Sequence, residues 1–312
     1  MRKKAVIALG GNALIKPNQK GTIYEQFANT RQSMKTIVKM IQDGWDVIIT
    51  HGNGPQVGAL LLQNQIAKKH IPPMPLGICV AESQGFIGYM IQQSLYNALR
   101  SKKIEKQVVA VITQVIVDQY DPHLQNPTKP IGPYYSEDEV EDMKSRGYKM
   151  IHQDRGWRMV VPSPEPKKIV EGDTIRQLIE EGIIVIASGG GGLAVVEKEK
   201  WGLDGVEVVI DKDLTAEKLA ETVKSDVLMI LTDVDYVYLH YNTPDQQPII
   251  KITLEEIKNH YYNNIFPEGS MKPKIFAAIQ FLEAGGKEVI ISHIEHGWEA
   301  IQGFFGTHIL PK

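Results

Sequence analysis

Two kinds of residue in this chain are placed to act on an anion: glycines that end apolar runs, and lysines that open helices. "VIALGGNAL" is an apolar run that stops at Gly10, Gly11 and Asn12. A glycine pair after a buried strand lets backbone N–H groups approach a ligand closely, and such turns favour phosphate-like anions. A second turn of this kind holds His51, Gly52, Asn53 and Gly54. No cation stands beside the first turn, because Ala8 occupies the place where a phosphate site would want a lysine. The cations come later. Lys212 lies between Asp211 and Asp213 at the end of an expected strand and immediately before a helix, and Lys272 and Lys274 fall in the first turn of another. A cation at a helix N-terminus opposes the dipole, and a bound anion reverses that penalty. Any one of these lysines is explained as simply by solvation, at a cost of about a few tenths of a kcal/mol. Two such sites together with two glycine turns point to a polyphosphate.

Composition bounds the partners. The chain has 312 residues, 43% of them hydrophobic, enough to bury a sizeable core and expected to split into two lobes rather than form one compact unit. Its 34 Lys and Arg against 37 Asp and Glu give a net charge of -3, which supplies no electrostatic footprint for nucleic acid or anionic lipid. Small-molecule chemistry is the expectation. One cysteine, Cys79, leaves no intrachain disulfide or cysteine metal cluster and fits a reducing cytoplasm. The opening "MRKKAVIALGG" is too short in its apolar run for a signal peptide, and no stretch is long enough to span a bilayer.

The elements that must position these residues repeat one unit: a short β-branched run, a glycine or polar turn, and a helical pattern. Phe27, Met34, Ile37, Val38 and Ile41 mark one face of a helix that Gly44 ends. Pro55 suits the first turn of the helix after Asn53. Strands are expected at 47–50, 108–117, 183–187, 227–232 and 289–292. Ser136 with Glu139 and Thr253 with Glu256 form capping-box patterns. The alternation predicts an α/β fold with an open, mainly parallel sheet covered on both faces, and ligands at the carboxyl ends of its strands. Residues 121–166 break the rhythm with seven of the 17 prolines. That segment reads either as a surface insertion or as a lid, and Lys129 within it is a candidate for a charge delivered from outside the main sheet.

"VIASGGGGLAVV" matches the dinucleotide fingerprint through Gly189, Gly191 and Ala194, with Asp211 and Asp213 at a ribose-binding distance. That fingerprint needs a helix directly after its glycines. Here the sequence reads as a β-hairpin turning near residues 202–205. A glycine turn carrying substrate or phosphate oxygens is the preferred reading, with a nicotinamide site as the alternative.

Seven segments in order, "THGNGPQVG", "SQGFIGYM", "NPTKPIGP", "RGWRMVVPSP", "VIDKD", "ILTDVD" and "GSMKPK", give the whole chain a resemblance to the carbamate kinases of the amino acid kinase family. The resemblance implies a three-layer α/β/α sandwich in a single domain, 1–312. Within it would lie a carbamate lobe over about 1–210, a protruding subdomain over 118–166 and a nucleotide lobe over about 211–312. It implies a homodimer acting on ATP or ADP with carbamate or carbamoyl phosphate, magnesium carried on the nucleotide, and a role in the arginine deiminase pathway. By the same matching, Lys129 replaces the lysine missing at Ala8, Lys212 and Lys274 contact phosphates, and Asp213 holds the lysines. Gly10, Gly11, Asn12, Gly52 and Asn53 would surround carbamate. Thr232, Asp233, Tyr238, Gly269 and Met271, with Lys212 and Lys274, would line the nucleotide pocket. The chain departs from the family where "IHQDRGWR" is shorter than usual before Arg155, which bears on the reach of the subdomain's inner loop. A sister kinase acting on another small acid, and a regulator without catalysis, are the alternatives; Ala8 argues against the first and the retained lysines against the second.

This residue set suits phosphoryl transfer, which needs alignment and charge neutralisation more than covalent chemistry. Carbamate and the ADP β-phosphate are already oxyanions, so no general base is required. His293 and His296 lack an evident third metal ligand and read as surface residues, while His51 reads as a structural hydrogen-bonding group.

Overall fold

Alternation along the first strand decides the architecture. In Lys4–Leu9, Val6 and Ala8 enter one apolar core, whereas Ala5, Ile7 and Leu9 enter another. A strand buried on both faces belongs inside a parallel sheet with helices on each side. The computed structural model, which describes residues 2–16, 19–153, 156–267 and 269–312 and leaves the Asn12 side chain outside that description, has this arrangement. Its eight-stranded sheet runs in the order Lys251–Thr253, Thr307–Leu310, Glu288–His293, Val227–Thr232, Lys4–Leu9, Asp46–His51, Ile184–Ile186, Val108–Ala110. Neighbours are parallel except Glu288–His293 with Thr307–Leu310.

Helices Ile23–Gln42, Leu76–Ser101 and Gly297–Ile301 pack on one face through Met34, Ile37, Ile87, Ile91 and Ala300. Helices Gly172–Glu180, Lys212–Thr222, Leu254–Tyr262 and Met271–Glu283 pack on the other through Ile175, Leu219, Ile257 and Ile275. The chain is therefore a three-layer α/β/α sandwich. Both expected capping boxes are formed, and Thr22 with Glu25 makes a third.

Three local expectations change. The run 108–117 is two strands, Val108–Ala110 and Gln114–Val117, in different sheets. Between them Thr113 exchanges both backbone groups with the Gln84 side chain, N–H to Oε1 at 2.9 Å and C=O from Nε2 at 3.1 Å, which takes the chain out of the central ladder. The hairpin Leu193–Lys198 with Gly202–Gly205 turns at residues 199–201, so the segment expected to turn is the return strand. Lys212 follows irregular chain rather than a strand, and it opens its helix with Asp211 as N-cap.

The proline-rich segment forms a small antiparallel sheet, Lys129–Tyr135, Gly156–Val161 and Lys149–Gln153, with helix Glu137–Ser145 against it. This subdomain shares a third core with Val57 and Leu61 of helix Gly54–Ala67, through Ile131 and Met159. The contact is backbone to backbone at one point: a Cβ on Gly58 would overlap Gly132, so only glycine permits this approach.

Candidate functional site

Three lysines from three separate elements converge on two buried aspartates. Asp211 caps helix Lys212–Thr222, its Oδ1 accepting from the Asp213 N–H at 2.8 Å and from Leu214 N–H at 3.4 Å. Its other oxygen, Oδ2, accepts from Lys129 Nζ. Asp213 sits one step inside the helix. Lys212 Nζ donates to its Oδ1, and Lys274 Nζ donates to its Oδ2 at 3.1 Å. Lys274 also donates to the Ser270 carbonyl at 3.2 Å.

The cluster answers the question of lysines at helix starts. Asp211 and Asp213 offset the dipole penalty for Lys212, and Asp213 does so for Lys274. Three ammonium groups against two carboxylates still leave one positive charge in a buried place, which is what an anion requires. Burial pushes the Asp213 carboxyl up, but Lys212 and Lys274 outweigh it and hold it well below the ordinary range. Asp211 is likewise lowered, with Lys129 overcoming burial. Burial pulls Lys212 below the usual lysine value despite Asp213, whereas for Lys274 the neighbouring aspartates overcome burial and raise it. Lys272 goes elsewhere, donating to Asn264 Oδ1 at 2.9 Å with its ammonium 5.7 Å from the Tyr261 ring centre.

The two glycine turns meet beside this cluster. A Cβ on Gly52 would stand 3.7 Å from the Gly11 nitrogen and 3.2 Å from Lys212 Cδ, so the lysine stem lies directly over Gly52. The sequence reading expects Gly10 and Gly52 to offer their amides to a ligand, but both amides are taken by neighbouring strands. Gly10 N–H donates to the Leu231 carbonyl at 2.8 Å and Gly52 N–H to the Leu9 carbonyl at 3.0 Å, extending the sheet. Their contribution is close approach; a Cβ on Gly10 would sit 2.8 Å from the Leu231 oxygen. Asn53 is buried, and its Nδ2 donates to Ser83 Oγ at 2.8 Å. The proposed amide of Asn12 lies outside the described residues, as does Arg155.

The glycine run at 189–192 is not a dinucleotide fingerprint. It leads into strand Leu193–Lys198 rather than a helix, and its glycines are buried. Cβ atoms at Gly189 and Gly190 would overlap the His51 ring and the Asn53 amide. The run is therefore packing that seats those two side chains. His51 Nδ1–H donates to the Gly52 carbonyl at 3.0 Å, and burial lowers its pKa to about 4, so it stays neutral near pH 7.

On the far side of Lys274 a cleft of about 190 Å³ is lined by Thr232, Asp233, Tyr238, Met271 and Lys274, five of the residues expected there. Gly269, in a left-handed conformation, lies in the turn before helix Met271–Glu283 and is not among the lining residues. Lys274 thus belongs to both the cleft and the lysine cluster. Among the described residues no group of three His, Cys, Asp or Glu is placed to hold a metal, and His293 with His296 gains no third partner.

Residues 3–293 match the model of the amino acid kinase family. The chain belongs to the amino acid kinase family. Within it the similarity is to carbamate kinases. The carbamate kinase of Pyrococcus horikoshii is 51% identical over 316 residues, covering 100% of both chains. The carbamate kinase of Giardia lamblia bound to AMP-PNP superposes with a TM-score of 0.90 at 43% identity, over 99% of this chain and 98% of the other. The same Giardia enzyme bound to citric acid gives a TM-score of 0.94 at 42% identity, over 99% and 98%. As a member of this family the chain is an enzyme, a phosphotransferase of the carbamate kinase type.

Three participants were not legible as such in the sequence. Asp211 as the partner of Lys129 could have been suspected from its N-cap position. Gln56 and Arg158 gave no signal beyond their place in quoted motifs; Arg158 Nη2 donates to the Gly132 carbonyl at 3.0 Å, a bond between two strands of the subdomain.

Proposed function

We propose that this enzyme transfers a phosphoryl group between ATP and carbamate at the lysine cluster, with ADP and carbamoyl phosphate as the other pair. The observation that carries the reading is Lys274, which lines the cleft beside Thr232 and Met271 and also bonds Asp213 in the cluster beside the Gly11 and Gly52 turns. A nucleotide in that cleft would extend its phosphates past Lys274 toward Lys212. The second substrate would sit against the Gly10, Gly11, Asn12, Gly52 and Asn53 turns. Lys129, Lys212 and Lys274 would then surround the group in flight and stabilise charge on its equatorial oxygens.

Asp211 and Asp213 orient these ammonium groups before substrate arrives, so little reorganisation accompanies the transfer. The accepting oxygen needs no base, consistent with a His51 that stays neutral and buried. Magnesium fits as an ion carried by the nucleotide phosphates, since both buried aspartates are engaged by lysines. When bound it would neutralise phosphate oxygens.

On this reading residues 1–210 form a carbamate lobe with the subdomain 118–166, and 211–312 a nucleotide lobe. The enzyme would work as a cytoplasmic homodimer, forming ATP from carbamoyl phosphate in arginine breakdown by the arginine deiminase pathway. Exposed Ile78, Tyr89 and Tyr96, recurring on one face of helix Leu76–Ser101, support a partner copy there. No helix among the described residues is long and apolar enough to cross a membrane. The deciding experiment is coupled ATP formation from MgADP with carbamoyl phosphate, compared with acetyl phosphate. ATP formation from carbamoyl phosphate at a far higher kcat/KM is expected; no ATP from it would sink the reading.

A further inference from the structure

A second cleft also borders the Gly11 turn and holds a buried polar group that the lysine cluster does not use. Its volume is about 530 Å³, and Gly11, Gln26, Pro55, Gln56 and Gly132 are part of its lining. Gln26 and Gln56 are both buried. Their orientation is set from one end. The Thr22–Glu25 capping box fixes the start of helix Ile23–Gln42, and next to it Gln26 Nε2 donates to the Gly21 carbonyl at 2.7 Å. A carbonyl only accepts, so Gln26 must turn its NH₂ to Gly21 and its oxygen the other way. Gln56 Nε2 donates to that oxygen at 3.1 Å. The chain of amides therefore ends in Gln56 Oε1, which is buried without a hydrogen-bond partner among the described residues. A buried acceptor left unmatched costs about 1–3 kcal/mol, and such a group beside a substrate turn marks the place of a donor.

We infer that Gln56 Oε1 accepts a hydrogen bond from the NH₂ group of carbamate and thereby selects it over carboxylates of the same shape. This rests on the function proposed above and adds the source of its specificity. Carbamate and acetate present the same oxyanion to the lysines, and they differ at the third substituent, NH₂ against CH₃. Only the nitrogen can donate to Gln56. Acetate would leave the oxygen buried against a methyl group, and sites built around a substrate N–H reject analogues that lack it. The nitrogen is untouched by the reaction, so the contact serves both directions.

The test compares ATP formation from MgADP with carbamoyl phosphate and with acetyl phosphate, in the wild-type enzyme, Gln56→Met and Gln26→Met. Gln56→Met is expected to lose about 10–100-fold in kcat/KM for carbamoyl phosphate, the equivalent of one buried hydrogen bond. Its kcat/KM for acetyl phosphate should be unchanged or higher. Gln26→Met, which frees Gln56 to turn, should move the ratio the same way by less. Equal losses with both donors, or no loss with carbamoyl phosphate, would overturn the inference. If thermal unfolding shows Gln56→Met to be unfolded, the ratio in Gln26→Met decides, and an unchanged ratio overturns it. A wild-type enzyme that makes no ATP from carbamoyl phosphate would bring down the proposed function itself, which keeps the two failures apart.

Discussion

Lys129 donates its ammonium to Asp211, the residue that caps the helix on which Lys212 and Asp213 sit. A lysine from the subdomain is thus tied to the body of the enzyme by the same carboxylate that starts the helix. Lys129 pairs with Val161 at the root of the subdomain sheet, where Thr128 N–H also donates to the Val161 carbonyl at 3.2 Å. Under the proposed function, the charge missing at Ala8 would be placed by an anchored base rather than carried on a distant tip.

Lys129→Met should therefore lower turnover by roughly 10²–10³-fold, the usual loss for one transition-state donor. ADP affinity should barely change, because Lys129 is not part of the cleft lined by Met271 and Lys274. Asp211→Asn keeps the helix cap and removes the charge, so it should cost less turnover and little stability. Steady-state kinetics with ADP titration checks all three statements. Near-normal turnover in Lys129→Met would return the residue to a structural role.

Lys274 and Lys212 share Asp213 but differ in position. Lys274 borders the cleft, whereas Lys212 lies over Gly52. Lys274→Met is expected to weaken ADP binding and lower turnover together. Lys212→Met is expected to act mainly on turnover, the mark of an interaction made in the transition state. Calorimetric ADP binding beside kinetics separates the two; identical profiles would contradict the assigned geometry.

Asp121 closes the subdomain at its root. Its Oδ1 accepts from the His123 N–H at 2.8 Å, and its Oδ2 accepts from the Glu165 N–H at 2.8 Å, tying the entering and leaving chains. Those amides overcome burial and lower its pKa. Asp121→Ala should loosen this root, raise amide exchange around residues 128–133 and lower turnover about tenfold through misplacement of Lys129. In the wild type, exchange there should be slow before ligand is added and change little afterwards, while helix Glu137–Ser145 exchanges fast. A large slowing at 128–133 on adding carbamoyl phosphate with MgADP would mean that the root moves.

The central layers were legible because parallel strands and amphipathic helices write their periods into the chain: Val227–Thr232 is found at its expected bounds, and Met34, Ile37 and Ile41 face the core. The lysines were legible because cations at helix starts violate a local preference. Side-chain substitution for a ladder was not legible, so Gln84 broke the 108–117 run unseen. Nor was the packing use of glycine, since Gly189 and Gly190 look in sequence like a ligand turn while their neighbours His51 and Asn53 lie over a hundred residues away. Gln56 stayed hidden for a similar reason: its orientation depends on Gly21 and Gln26, which no spacing rule connects to it.

Two buried titratable groups should set opposing pH slopes in stability. Burial raises Glu217 from 4.5 to about 7, and Lys218 Nζ at 3.4 Å from Oε2 does not compensate. Between pH 4.5 and about 7 the folded chain keeps a proton that the unfolded chain releases, so stability falls as pH rises through that window. His51 is the reverse case. Burial lowers it from 6.5 to about 4, so the unfolded chain binds the extra proton in that window and stability is lost as pH falls through it. The slopes are of similar size, about 1.4 kcal/mol per pH unit each, and cancel where the windows overlap. Glu217→Gln removes one of them. Urea unfolding of this variant should show stability that rises from about pH 4.5 to pH 6.5, and its difference from the wild type should become constant above about pH 7. A difference that does not vary between pH 5 and pH 7 would mean that Glu217 titrates normally in the folded enzyme.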